Sequence, residues 1–296
     1  TLSLGRTRTQ PFKTKWLSWL GPWDLQVLIG QLEEERAIPN AKLFGMRFNF
    51  RPLKGLEFGI SRTVIWCGDG RPCDASTFWD LLFGKDNLED GAAVEDQVGN
   101  QLAGFDVRWT NMWFETPVSV YAQAIGEDEA GGFPSRYLAQ LGIEGSGFSR
   151  GQNSYRWFVE GAETSCGGLY SDNAFNCAYV HDLYTSNYTY YRRIIGHGLD
   201  NDARVITGGL VLVLPERKTW EFIARVGDLN RKIPQGSHTV ARVPQELASI
   251  DIQYSFRSKI GTFDIGVGFE RREVIATGTT TSDTRGFLRW NNTGSR

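Results

Sequence analysis

The segment 262-TFDIGVGFER-271 places Phe263, Ile265, Val267 and Phe269 on one side of an extended chain, and Thr262, Asp264, Gly266, Gly268 and Glu270 on the other. Strand side chains alternate with period two, so the stretch predicts a β-strand with one apolar and one polar face. The same alternation runs through 248-ASIDIQYSFR-257, where Ala248, Ile250, Ile252, Tyr254 and Phe256 oppose Ser249, Asp251, Gln253, Ser255 and Arg257. It recurs at Trp220, Phe222, Ala224 and Val226.

About thirteen such segments lie along the chain, near 2–11, 23–32, 42–51, 55–65, 101–110, 117–126, 136–145, 154–163, 204–214, 218–228, 247–257, 261–272 and 284–292. Most run to about ten residues, longer than an ordinary strand of five or six but matched to a transmembrane β-strand. From the second strand on, short connections alternate with long ones. The long set comprises the loop after residue 32, the stretch 66–100, the motif 125-IGEDEAGGFPSR-136, and the stretches 164–203, 229–246 and 273–283. Antiparallel neighbours joined this way gather all long loops at one end, as in outer-membrane barrels with long extracellular loops. The last strand then runs toward the periplasm. Trp23, Trp109, Tyr121, Tyr137, Tyr155, Trp157, Trp220 and Trp290 near segment ends suit interfacial girdles. Glu160, Asp251, Arg257, Asp264 and Arg289 read as lumen lining. A β-sandwich with inward apolar faces is the rival, and so many long strands without a linker disfavour it. Two stretches leave the pattern. Ser76 is placed to cap a short helix carrying Phe78, Leu81 and Leu82, and residues 13–21 fit a helical turn.

The 296 residues carry a net charge of −2, with 13% aromatics and 34 glycines. That balance gives no basic footprint for nucleic acid. No apolar run reaches the roughly 18 residues of a membrane-spanning helix, a test that says nothing of a barrel. The start, TLSLGRTRTQPF, has no initiator Met and no signal-peptide pattern, so the chain reads as a fragment. Four cysteines form two local pairs in turn-rich loops, which favours the disulfides Cys67–Cys73 and Cys166–Cys177. Zinc would want tighter spacing and more histidine than nearby His181 supplies. Disulfides imply an oxidising compartment.

The motifs WLSWLGPW (16–23), GDGRP (68–72), FWDLLFGKDN (78–87), NQLAGFD (100–106), IGEDEAGG (125–132), PSRY (134–137), IGHGLDNDAR (195–204) and DLNR (228–231) follow in an order that closely resembles the Wzi family of capsule assembly proteins. The similarity covers essentially the whole chain. It implies an all-β fold, an antiparallel transmembrane barrel of eighteen strands with a periplasmic helical bundle. The chain would supply one barrel domain over 1–296, with about thirteen strands and without the N-terminal strands and bundle. It also implies a protein in the bacterial outer membrane that binds capsular polysaccharide, needs no cofactor or metal and is no enzyme. Outer-membrane lipid and lipopolysaccharide would surround a monomer. The last strand departs from the family's pattern, ending in TGSR rather than on an aromatic residue.

Candidate site residues lie in the loops. Glu127, Asp128 and Glu129 could act as a catalytic pair, but adjacent residues cannot set the carboxyl separation of a glycosidase. They could hold Ca²⁺, although the spacing is no complete ligand loop. They could pair with Arg136 in a tight turn at Gly131 and Gly132, or accept hydrogen bonds from sugar hydroxyls. His197, Asp200, Asp202 and Arg204 suggest a hydrolase, yet no G-x-S-x-G elbow accompanies them. A packed plug or a glycan-contacting surface suits them better. Trp79 and Phe78 either pack the loop helix over the lumen or offer a ring to a sugar. Arg71, beside Asp69 and Asp74, marks a disulfide-braced loop tip and a further glycan contact. The expectation is a surface lectin, with a porin-like channel and an outer-membrane hydrolase as rivals.

Overall fold

The computed structural model describes all residues except 7–8, 83–98, 114, 131–132, 150–152, 169–170, 233–237 and 293–296, and leaves aside the side chains of 127–130, 133–135 and 171–173. In chain order the strands are β1 (Leu2–Gly5), β2 (Trp23–Gln31), β3 (Lys42–Leu53), β4 (Leu56–Trp66), β5 (Gly99–Trp113), β6 (Thr116–Ala130), β7 (Phe133–Phe148), β8 (Ser154–Gly168), β9 (Ser171–Ala174), β10 (Thr189–Tyr190), β11 (Arg193–Ile194), β12 (Arg204–Leu214), β13 (Lys218–Leu229), β14 (Gln245–Ser258), β15 (Gly261–Val274) and β16 (Thr279–Asn291). Among the described residues one α-helix, α1 (Ala75–Leu82), lies between β4 and β5. Each long strand pairs antiparallel with its sequence neighbours, and β8 meets β12 directly after a long excursion. The hydrogen-bonded path runs from β1 to β16, with β9 as a side branch from β8 and β10–β11 as a separate hairpin. All the expected strands are present. The first stops at Gly5, and the helical turn expected at 13–21 is a 3-10 turn at Ser18–Leu20.

Two connections expected to be long are not. β6 and β7 leave only residues 131–132 between them, and β15 reaches β16 through the four-residue turn 275–278. The cause is strand length. β7 has 16 residues, where about nine to eleven cross a bilayer. The surplus continues as hairpin, so Glu127, Asp128 and Glu129 belong to a strand rather than a loop.

Register assigns the two faces. Arg47–Asp106 (2.8 Å), Arg156–Glu144 (2.7 Å), Tyr121–Glu160 (2.9 Å) and Arg225–Asp251–Arg285 (2.9 and 2.7 Å) all lie on one face, with Arg289 3.9 Å from Asp264. Phe105, Trp109, Leu141, Val159, Ile250 and Phe269 lie exposed on the other. An apolar face left exposed, save where α1 packs on it, and a polar face of paired charges is the division a barrel wall makes between lipid and lumen. Stacked rings cross the apolar face at the short-turn end, from Trp220 to Tyr254 (4.5 Å), Phe256, Phe263 and Trp290. Tyr121 is no part of such a girdle. Its parity with Arg108 turns it to the lumen, where it bonds Glu160.

Helix α1 corrects two expectations. Its N-cap is Asp74, which accepts the Thr77 N–H at 2.9 Å, while Ser76 donates its hydroxyl to the same carboxylate. These bonds, Ser76 first, hold Asp74 well below the usual carboxylate range. The helix also packs on the apolar face instead of covering the lumen. Phe78 meets Phe44 (5.2 Å) and Trp66 (4.9 Å), both on the lipid side of the wall, and Leu81 is fully buried there.

Candidate functional site

Toward the long-loop end the polar face becomes apolar. Leu43, Ile65, Leu102, Ile125 and Leu138 share the parity of Asp106 and are covered by Ala178, Tyr179, Leu183, Tyr184, Tyr188 and Ile194 from the β9–β12 excursion. Apolar wall and apolar loop bury each other, so the loop folds into the lumen instead of away from it. Tyr hydroxyls pin it to backbone carbonyls of the wall: Tyr188 donates to Asn100 at 3.0 Å and Tyr184 to Cys67 at 3.1 Å. From the β2–β3 loop, buried Arg36 donates to the carbonyls of Thr189 and Asn187, both at 3.1 Å, with Glu33 beside it. Burial lowers the Arg36 pKa, and Glu33 opposes that shift. The Cys166–Cys177 disulfide braces the start of this cover, and Cys67–Cys73 braces the β4–α1 loop whose Cys67 carbonyl receives Tyr184. Beneath it a cavity of about 540 Å³ remains between Leu28, Leu102 and Ile125 and the loop residues Tyr179, Tyr188 and His197.

The β13–β14 loop makes a second cover, packing Ala241 with Ala203, Val205, Leu229 and Leu247. Asp200 binds it by accepting the Thr239 N–H and hydroxyl, each at 2.6 Å. Asp202, 1% exposed, accepts the Asn176 N–H at 2.9 Å, and its burial pushes its pKa up.

The residues singled out in sequence do not converge. His197, Asp200 and Asp202 belong to the packed cover. Arg71 turns inward to hydrogen-bond Tyr184. Arg204 reaches the rim of the lipid-facing side, where its Nε meets Glu163 at 2.8 Å and Arg231 also engages that carboxylate. Trp79 stands 53% exposed on α1. Glu127 pairs in register with Arg136, whose side chain is exposed. The side chains of Glu127, Asp128 and Glu129, and the turn at Gly131 and Gly132, lie outside the described residues.

What the loops do build together is a groove of about 820 Å³, between Glu34 and Glu35 on one side, Thr185, Ser186 and Arg192 on a second, and Thr239 and Arg242 on a third. Carboxylates, hydroxyls and guanidinium groups converge there, with Ala37 and Val240 among them. Such a set offers donors and acceptors to a polyhydroxylated ligand. Three loops far apart in sequence supply it, so no local motif announced it. The clue available was 188-YTYYRR-193, aromatic and basic where strand alternation lapses.

An antiparallel wall with a lipid-facing apolar side, its mouth filled by loops braced with disulfides, defines an outer-membrane β-barrel protein with a surface-exposed loop cap. Comparison with known proteins gives the particular family. The profile described as "Capsule assembly protein Wzi" matches residues 1–284, and the chain belongs to that family. It is 42% identical over 156 residues to an "Uncharacterized 55.8 kDa protein in cps region" of Klebsiella pneumoniae, a match covering 51% of this chain and 29% of that one. It superposes with a TM-score of 0.77 and 27% identity on Escherichia coli Wzi, described as an outer membrane protein involved in group 1 capsule assembly and a carbohydrate-binding β-barrel. That match covers 98% of this chain and 61% of the solved one, so the chain spans about three fifths of its structural relative.

Proposed function

We propose that the protein binds capsular polysaccharide at the outer face of the outer membrane and so keeps exported polymer attached to the cell, as a lectin and without catalysis. The groove among the three loop covers carries this reading. It is open, it gathers carboxylates, hydroxyls and guanidinium groups, and it lies at the end where the loops face outward in a barrel of this class. Family membership and the carbohydrate-binding relative support it. Against hydrolysis stands the arrangement of the acids: Asp200 and Asp202 are buried with their oxygens engaged by loop groups, and the groove's Glu34 and Glu35 are adjacent residues that cannot by themselves set the carboxyl separation of a glycosidase. Polymer, outer-membrane lipid and lipopolysaccharide are the proposed surroundings of a monomer.

The test is a deletion strain. It should make polymer in normal amount but release it to the medium, and the wild-type gene should restore attachment. Unchanged cell-attached capsule would refute the reading. Polymer shortened by the purified protein would favour the hydrolase instead.

A further inference from the structure

The hairpin β10–β11 closes with Tyr191 and Arg192 as its two turn residues, at φ +48° and +61°. Positive φ at both positions is the mark of a type I′ turn, for which Asn-Gly is the favoured pair because a Cβ is strained there. This hairpin holds two of the bulkier side chains in that place. Glu216 and Arg217 share this double positive φ in the short β12–β13 turn, so it is the exposed side chains of this tip, and not the strain alone, that point to a use.

The side chains at the tip are consistent with such use. Tyr190 and Tyr191 are 44% and 64% exposed, with ring centroids 4.7 Å apart and planes at 71°, so the pair offers aromatic faces in two directions. Arg192 and Arg193 are exposed as well, and Arg192 lines the groove together with Arg242. Elsewhere the described arginines commonly hold carboxylates: Arg47 with Asp106, Arg156 with Glu144, Arg225 and Arg285 with Asp251, Arg272 with Glu270. Among the described residues, Arg192, Arg193 and Arg242 hold no carboxylate. Rings that stack on a sugar face, beside guanidinium forks free to bind a carboxylate in bidentate fashion, together suit a sugar that carries an acid. Glu34 and Glu35, which also line the groove, would repel that acid and accept neutral hydroxyls instead.

We infer that the β10–β11 tip is the specificity element of the groove, with Tyr190 and Tyr191 stacking on a sugar ring and Arg192, with Arg193 or Arg242, clamping its carboxylate. The ligand class is an acidic polysaccharide of the uronate kind. The inference rests on the polysaccharide-binding reading above.

The experiment uses the full-length protein in detergent, with four probes: polymer from the source strain, the same polymer after chemical reduction of its carboxyl groups, polygalacturonate, and neutral dextran. The variant Tyr191→Asn/Arg192→Gly installs the favoured turn pair, so it should fold at least as well as wild type while removing one ring and one cation. Wild type should bind source polymer at least tenfold more tightly than its reduced form, and polygalacturonate more tightly than dextran. The variant should lose that tenfold preference, and rising salt should weaken wild type on the acidic probes only. Source polymer bound equally well before and after reduction, or equally well by wild type and variant, overturns the acidic-sugar inference while leaving polysaccharide binding intact. No binding to any probe overturns both.

Discussion

Each of the three histidines turns Nδ1 toward the backbone of its own loop. His181 accepts N–H from Leu183 and Tyr184 (3.1 and 3.2 Å), His197 from Leu199 (3.3 Å), and His238 from Val240 and Ala241 (3.2 and 2.9 Å). Such a ring must be neutral with its proton on Nε2, which for His238 faces the Asn201 carbonyl at 3.1 Å. Burial lowers all three pKa values from 6.5. Asp182 opposes the shift at His181, Glu160 and Asp200 at His197, and Asp200 at His238, while Arg71 and Arg272 reinforce it at His181 and His238. A folded pKa below the unfolded one means the unfolded loop binds protons first, so stability is complete above 6.5 and falls as pH drops through it. Amide exchange at Tyr184 and Ala241, corrected for intrinsic rate, should therefore accelerate below pH 6.5 and stay level above it. Unchanged protection down to pH 5 would contradict the neutral-ring turn. Asp202 works in the opposite sense, since its raised pKa makes its charge a cost that acid relieves. Asp200 provides a test free of pH. Asp200→Ala removes the charged acceptor of the Thr239 N–H and hydroxyl and should destabilise the β13–β14 loop by about 1–3 kcal/mol, seen as faster exchange there and little change in β13 itself.

At the scale of elements, the wall depends on rings that cover glycines on the neighbouring strand. Tyr121 on β6 lies over Gly142 on β7, where an added Cβ would overlap the ring, and from there its hydroxyl reaches Glu160 on β8. One side chain thereby ties three strands on the lumen side. Gly142→Val should evict the ring and break that bond, at a cost of about 1–3 kcal/mol. Tyr121→Phe, which removes only the hydroxyl, should cost about 1 kcal/mol. The two variants are compared by the urea concentration that converts the folded electrophoretic band to the unfolded one, and equal midpoints would refute the arrangement. Strands of this kind were legible in sequence because period two is a local signal: Phe263 to Phe269 declares its face without knowledge of any neighbour. Tyr121 was misread because residue type suggested a girdle while register, a property of strand pairs, turned it inward. The lipid-side position of α1 was hidden for a similar reason, since an amphipathic helix shows that it has an apolar face and not which wall receives it. The groove was least legible, being assembled from the loops of β2–β3, β9–β12 and β13–β14.

For the whole molecule the decisive question is what fills the lumen. A path of thirteen strands already exceeds the eight whose inward side chains can fill a barrel by themselves, and porins of comparable size conduct. Here the wall contributes Leu43, Ile65, Leu102, Ile125 and Leu138 to a shared core with the excursion 174–195, and three tethers, Tyr184, Tyr188 and Arg36, hold that excursion in place. Under the proposed function a cover bonded in this way acts as a plug, and that sets a binding protein apart from a channel. Full-length protein in planar bilayers should therefore show no steady open conductance. Replacing residues 178–195 by a short Gly-Ser linker keeps the Cys166–Cys177 bridge and removes the plug, so it should produce stable open steps, provided heat-modifiable migration shows that the variant is folded. The gentler pair Tyr184→Phe/Tyr188→Phe deletes two tethers at about 1 kcal/mol each and should give brief, infrequent openings. Large steady conductance from the unaltered protein would make the loops a fringe around an open pore, and the channel reading would replace the lectin.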